Sequence, residues 1–132
     1  MDPVIINIPK YPDLRGNLSF IEEDTHIPFE IRRVYWIYDV PGGEYRGGHA
    51  FIETEEIVIA LSGSFDVVLK TGSNERRFSL NRSYFGLYIP KMYWRTIENF
   101  STNSLALIIA STDYNEADYI RDFEEFKRLS DK

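Results

Sequence analysis

The stretch RGGHAFIE, Arg46 to Glu53, sets an arginine, two glycines and an imidazole side by side. An imidazole with an ordinary pKa near 6.5 can take and return a proton near neutral pH. An arginine can clasp a phosphate or carboxylate through two parallel hydrogen bonds, and glycine lets backbone approach a ligand closely. In an extended strand His49 and Phe51 face the same space, because side chains alternate with a period of two. A second stretch, IRRVYWIYD, puts Arg33, Tyr35 and Ile37 on one face and Arg32, Val34, Trp36 and Tyr38 on the other. Each face carries an arginine and an aromatic ring, so alternation alone leaves open which is inside. Facing inward, Arg33 and Tyr35 would be costly to bury without a ligand or partner, which makes them site candidates. Facing outward, they would be an ordinary exposed arginine and an amphipathic tyrosine.

Other chemistries find less support. His26, in EEDTHIPFE, belongs to a polar connection and is read as a surface or turn residue. Glu22, Glu23 and Asp24 are adjacent rather than opposed across a cleft, unlike a glycosidase pair. The sequence has no GxSxG, no GxxxxGK[ST] and no GxGxxG following a strand. It has no cysteine, which removes disulfides and thiolate metal sites. The net charge of −6, with acidity concentrated in DYNEADYIRDFEEF, argues against a nucleic-acid surface, since phosphate rewards a basic face. No secretory signal is read at MDPVIINIPK, and no apolar run approaches the roughly 18 residues of a membrane span. A cytoplasmic protein without a membrane partner is expected.

The elements that must position these residues are short strands. VIINI, NLSFIEE, IRRVYWIYD, GGHAFIE, EIVIALS, SFDVVLKT, ERRFSL, YFGLYIP, MYWRTIE and SLALIIAS are separated by turn-rich YPDLRG, VPGGEYRGG, TGSN, NRS and NFSTN. This is the spacing of an all-β sandwich, jelly roll or barrel. The chain of 132 residues, 43% hydrophobic and 15% aromatic, has the length of one domain, residues 1–132, with a real core and aromatic residues to spare for a pocket. Near the end, Asn115 caps an expected helix in which Asp118 favours the positive end and Tyr119, Ile120, Phe123, Phe126 and Leu129 recur near helical spacing. The aromatics of that helix are expected to pack on the barrel or on a neighbouring subunit.

HAFIETEE, a glycine turn and then IPKMYWRTIEN are together similar to the two cupin motifs that hold a divalent ion. Phe51 and Arg95 stand where two of the metal-binding histidines would be, and neither a phenyl ring nor a guanidinium offers a lone pair to a metal. His49 with one of Glu53, Glu55 or Glu56 is too small a set, so no metal is expected.

More of the chain points the same way. DLRGNLSFIEE, IPFEIRRVYWIYDVPGGEYRGGHA, LSGSFDVVL, GLYIPKMYWR and IASTDYNEADYIRDFEEF, from about Asp13 to Leu129, resemble the dTDP-4-keto-6-deoxyglucose 3,4-ketoisomerases, the WxcM-like cupins. The resemblance implies an all-β cupin-type jelly roll (RmlC-like) with a C-terminal α-helix, working as a homodimer without metal or cofactor. It implies interconversion of the 4-keto and 3-keto forms of a dTDP-linked 6-deoxyhexose, on the way to deoxyamino sugars of surface polysaccharides. It also implies that Arg33, Tyr35, Arg46 and His49 line the site, with Arg15 of the RGNL stretch as a further substrate-binding candidate. His49 would be the base between C3 and C4, Tyr35 would donate to or relay protons at a developing oxygen charge, and Arg33 and Arg46 would neutralise the diphosphate. The family reads HAH where this chain has His49-Ala50-Phe51, and WHE where it has Trp94-Arg95-Thr96. Phe51 and Arg95 are therefore expected at substrate-binding positions. Arg95 would hold a differently charged sugar or depress the pKa of His49. Losing two imidazoles also allows an alternative: a catalytically silent nucleotide-sugar-binding cupin. A structural interaction domain is a third reading, which leaves the arginines, Tyr35 and His49 unexplained.

Overall fold

The computed structural model describes residues 2–130. β1 (Val4–Asn7) leads into a hairpin of β2 (Lys10–Tyr11) and β3 (Leu18–Ser19), followed by β4 (Arg33–Tyr38), β5 (Arg46–Phe51), β6 (Glu56–Ser62), β7 (Phe65–Thr71), β8 (Asn74–Leu80), β9 (Phe85–Ile89), β10 (Trp94–Glu98) and β11 (Leu105–Ala110). β12 (Tyr119–Ile120) and the helix α1 (Phe123–Ser130) complete the chain. One sheet has the order β1-β9-β6-β11-β4 and the other β12-β5-β10-β7-β8. β7 pairs with β8, β6 with β9, β5 with β10 and β4 with β11, each antiparallel. These nested pairs are one long hairpin wrapped so that alternate strands fall in opposite sheets, which is a jelly roll. The fold class expected from the sequence is the one found.

Val58, Ala60, Phe65, Val67, Leu69, Leu87, Ile97 and Ile108 meet between the two sheets and form the main core. The other face of the first sheet presents Ile57, Ile59, Tyr88 and Ile109, covered by Ile8, Ile27 and Phe29. β6 is thus buried on both faces. That explains why IVIAL reads as a continuous apolar run rather than an alternation. Of NLSFIEE only Leu18–Ser19 is strand; it pairs with Lys10–Tyr11, whose Tyr11 opens what the sequence presents as the turn YPDLRG. Among the described residues no helix is long and apolar enough to cross a membrane.

The expected terminal helix is three elements. Asn115 does cap, but it caps a single 3-10 turn, Glu116–Asp118, accepting from the Ala117 amide. The buried Asp118 carboxylate then accepts the Glu53 and Thr54 amides and the Thr54 hydroxyl. Held there, the chain extends, and Tyr119 and Ile120 pair with Phe51 and Ala50 of β5. Tertiary hydrogen bonds override the helical periodicity of the apolar residues. Asp122 restarts the helix by accepting the Glu124 amide, and α1 packs on its own barrel, with Phe126 and Phe123 against Trp94, Ala50 and Ile120.

Phe126 is 1% exposed and is the main anchor of α1. Phe126→Ala is expected to cost about 3–5 kcal/mol, read as a lower urea midpoint at unchanged slope. A loss under about 1 kcal/mol would show that the helix is not anchored there.

Candidate active site

Among the described residues β4 is an edge strand, bonded to β11 alone, and its alternation resolves into a half-buried inner face of Arg33, Tyr35 and Ile37. Val34, Trp36 and Tyr38 are exposed on the outer face. In the opposite sheet His49 sits across from Arg95, while Arg46 sits across from Ile97. Three steps along β5 thus match two along β10, a bulge that bends the strand and re-aims its side chains. Gly47 lies in the bulge with φ +77°, and a Cβ there would fall 2.5 Å from Arg95 Nη1. Both the backbone angle and the close approach require glycine at this position.

The centre of the site is a charged array inside the barrel. Arg95 and Glu56 have side chains 2% and 1% exposed, and Arg95 Nε lies 2.5 Å from Glu56 Oε1. Arg95 Nη2 donates to the Tyr35 hydroxyl at 2.7 Å and to Glu56 Oε2 at 3.3 Å. The Tyr35 hydroxyl in turn donates to Glu56 Oε2 in a short hydrogen bond. Burial, with the adjacent Glu56 charge adding to it and Arg95 opposing it, pushes the Tyr35 phenol well above its ordinary value. Burial alone would weaken the charge on Arg95; Glu56 and Tyr35 more than reverse this and hold its pKa raised. β4, β6 and β10 supply the three residues, so the array ties one sheet to the other.

His49 is 7% exposed, and its Nε2 is buried without a hydrogen bond to any of the described residues. Phe51 and Tyr119 pack on its ring, with centroids 4.8 and 4.9 Å away. Its pKa is pushed down from 6.5 to about 2, by burial first and then by the charges of Arg95, Arg121 and Arg33. The ring is therefore neutral across the physiological range, able to accept a proton.

Tyr35, Arg46, His49, Arg95, Tyr119 and Arg121 line a cleft of about 490 Å³. Arg46 is exposed at its rim. Arg33 is not among the residues lining the cleft: its guanidinium lies 5.5 Å from the centroid of the Tyr35 ring and 5.6 Å from that of Tyr114, and among the described residues its buried Nε has no partner. Phe51 does not line the cleft; it backs His49 and Tyr119. Arg15 is paired with Asp13 in the exposed β2–β3 turn, in a groove of its own. His26 lies in a turn and accepts the Glu22 amide through Nδ1. Among the described residues no group of three or more His, Asp or Glu gathers as a metal site.

Sequence reasoning misses Glu56, Tyr119, Arg121 and Glu116. Glu56 enters it only as a metal ligand, although a carboxylate opening the apolar run EIVIAL on an inward position is a signal. Tyr119 falls within the expected helix. Arg121 stacks over the Tyr119 ring at 4.3 Å and is paired with Glu116 Oε1 at 2.6 Å, an arrangement that exists only because β12 joins β5.

The fold and its internal charged cleft define a cupin-type jelly roll. The family model described as FdtA: WxcM-like, C-terminal, matches residues 1–131, and the chain belongs to that family. It is 39% identical over 128 residues to the TDP-4-oxo-6-deoxy-alpha-D-glucose-3,4-oxoisomerase of Aneurinibacillus thermoaerophilus, covering 97% of this chain and 92% of the relative. A 3,4-ketoisomerase from Helicobacter canadensis superposes with a TM-score of 0.96 at 43% identity, covering 100% of this chain and 99% of the other. A mutant of the 3,4-ketoisomerase QdtA from Thermoanaerobacterium thermosaccharolyticum, solved in complex with TDP-4-keto-6-deoxyglucose, superposes with a TM-score of 0.95 at 33% identity over 97% of this chain and 93% of the other.

The depressed pKa of His49 carries a consequence for stability. Below pH 6.5 the unfolded chain binds a proton that the folded ring refuses, so stability is unaffected by this group above about 6.5 and falls as pH drops toward 2. The expected slope is about 1.4 kcal/mol per pH unit within that window. Urea unfolding from about pH 7.5 to about pH 5 should show it as a difference that His49→Gln removes. Parallel curves for the two proteins would place the ring in an ordinary, titrating environment.

Proposed function

We propose that this protein is a 3,4-ketoisomerase that interconverts the 4-keto and 3-keto forms of a dTDP-linked 6-deoxyhexose, with His49 carrying a proton between C3 and C4. The observation that carries the reading is a neutral, buried His49 with an unbonded Nε2, lining a cleft directly across from a buried arginine. The Aneurinibacillus thermoaerophilus oxoisomerase and the QdtA mutant, whose names carry a TDP-linked 4-keto sugar, support it, as does the Helicobacter canadensis 3,4-ketoisomerase.

A hydrogen on the carbon beside a ketone is acidic because the resulting enediolate is delocalised. His49 takes the proton from C3; the C–H electron pair becomes the C3–C4 double bond and the carbonyl electrons move to O4. The hydroxyl proton passes from O3 to O4, and the protonated imidazole of His49 returns its proton to C4 as O3 becomes the ketone. Atoms and charge balance without an oxidant. Such general base work is typically worth about 10² to 10⁴ in rate. In the free protein burial first, and then the charges of Arg95, Arg121 and Arg33, depress the basicity of His49. A bound diphosphate at Arg33 and Arg46 offsets the arginine part of that shift. Tyr35, held on Arg95, is placed to share proton transfer at the sugar oxygens.

The 3-keto product has the carbonyl that a transaminase needs, in keeping with a place in deoxyamino-sugar synthesis for surface polysaccharides. The exposed outer face of β4, with Val34, Trp36 and Tyr38, supports a homodimer.

Incubation with dTDP-4-keto-6-deoxyglucose in heavy water tests the reaction. Deuterium is expected at C3 or C4 and is lost in His49→Ala; dTDP binding without exchange would leave a silent nucleotide-sugar-binding cupin instead. Arg33→Ala and Arg46→Ala are each expected to weaken dTDP binding by about tenfold or more in calorimetry, as for a charged hydrogen bond. Unchanged affinity in both would put the diphosphate elsewhere.

A further inference from the structure

Glu56 has no role in the mechanism so far, yet it touches two residues that do. A carboxylate 1% exposed, inside an otherwise apolar barrel, is retained against a steep desolvation cost. A methionine or leucine would fill the same space without that cost. What Glu56 does geometrically is select an edge. It faces Arg95 Nε as an ion pair and accepts from Nη2, and Tyr35 takes the second hydrogen of Nη2. Among the described residues Nη1, like Nε and Glu56 Oε1, has no hydrogen-bond partner, but it alone of the three is turned away from the Glu56–Tyr35 side, against Gly47, which like Arg95 and His49 lines the cleft. Any side chain at position 47 would fill this space.

Resting on the ketoisomerase reading, we propose that Glu56 is a positioning residue: it holds Arg95 with its Nη1 edge turned to the cleft beside His49, as the donor that stabilises the enediolate oxygen. The same carboxylate fixes the Tyr35 hydroxyl, so one acidic side chain sets the geometry of both groups that face the sugar oxygens. Arg95 and His49 are cross-strand partners. A base that removes a carbon-bound proton and a donor that meets the resulting oxygen charge are therefore delivered to one side of the sugar together.

Glu56→Gln keeps the shape and removes the charge. Its kcat is expected to fall by about 10²-fold, the usual effect of disturbing one oxyanion donor, while KM stays within about threefold. Because Glu56→Gln strands a buried guanidinium, a change that can prevent folding, Glu56→Asp is the companion. It keeps the charge, withdraws the carboxylate by one methylene, and should also lose kcat rather than affinity for dTDP. The double variant Glu56→Gln/Arg95→Gln, which buries no charge, should lose less than the product of the two single losses, since Glu56 acts in part through Arg95. Parent-like kcat in Glu56→Asp, a loss confined to KM, or losses that multiply in the double variant would each overturn the assignment. Absence of exchange in the parent protein would overturn the ketoisomerase reading itself, and this inference with it.

Discussion

An arginine and a glutamate buried together between two sheets stand where a jelly roll could hold apolar side chains. Removing both charges from water costs several kcal/mol for each ion, and attraction in the interior repays that only when the geometry is good and the remaining polar atoms are engaged. In this barrel Tyr35, which accepts from Arg95 and donates to Glu56, engages one side of the pair, while Arg95 Nη1 keeps no partner among the described residues. The rest of the site follows from that array. Gly47 must lack a side chain because Nη1 occupies the space; the β5 bulge carries Gly47 and brings His49 opposite Arg95; and burial together with the guanidinium charge keeps His49 unprotonated.

The place of Phe51 fits the same logic. Phe51 is an apolar ring at the back of His49, packed edge-on against it and against Tyr119. That wall offers the imidazole no hydrogen bond. Burial and arginine charge together keep the imidazole of this cleft neutral.

Much of this is legible in the sequence because it depends on local rules. Turn residues between short apolar segments indicate the sandwich, and a period of two puts His49 and Phe51 together and groups Arg33 with Tyr35. Which face of β4 looks inward is not legible, because both faces carry an arginine and aromatics; only pairing with β11 decides it. The terminal segment misleads because Tyr119, Ile120, Phe123 and Phe126 satisfy helical spacing, while the interaction that breaks the helix comes from Glu53 and Thr54, far away along the chain. Glu56 and Arg121 escape notice for a related reason: their roles lie in partners brought to them by the fold, and hydrophobic spacing along the chain reports no such partner.

The most direct measurement is a crystal structure with a dTDP-linked 6-deoxysugar bound, in a form that lacks the ketone and cannot turn over. The expected result has C3 and C4 over His49 Nε2, the O3–O4 edge toward Arg95 Nη1, and the diphosphate at Arg33 and Arg46. A sugar seated away from His49, or Arg95 swung off Glu56 with its charge on the diphosphate, would contradict the idea that a buried ion pair organises this site.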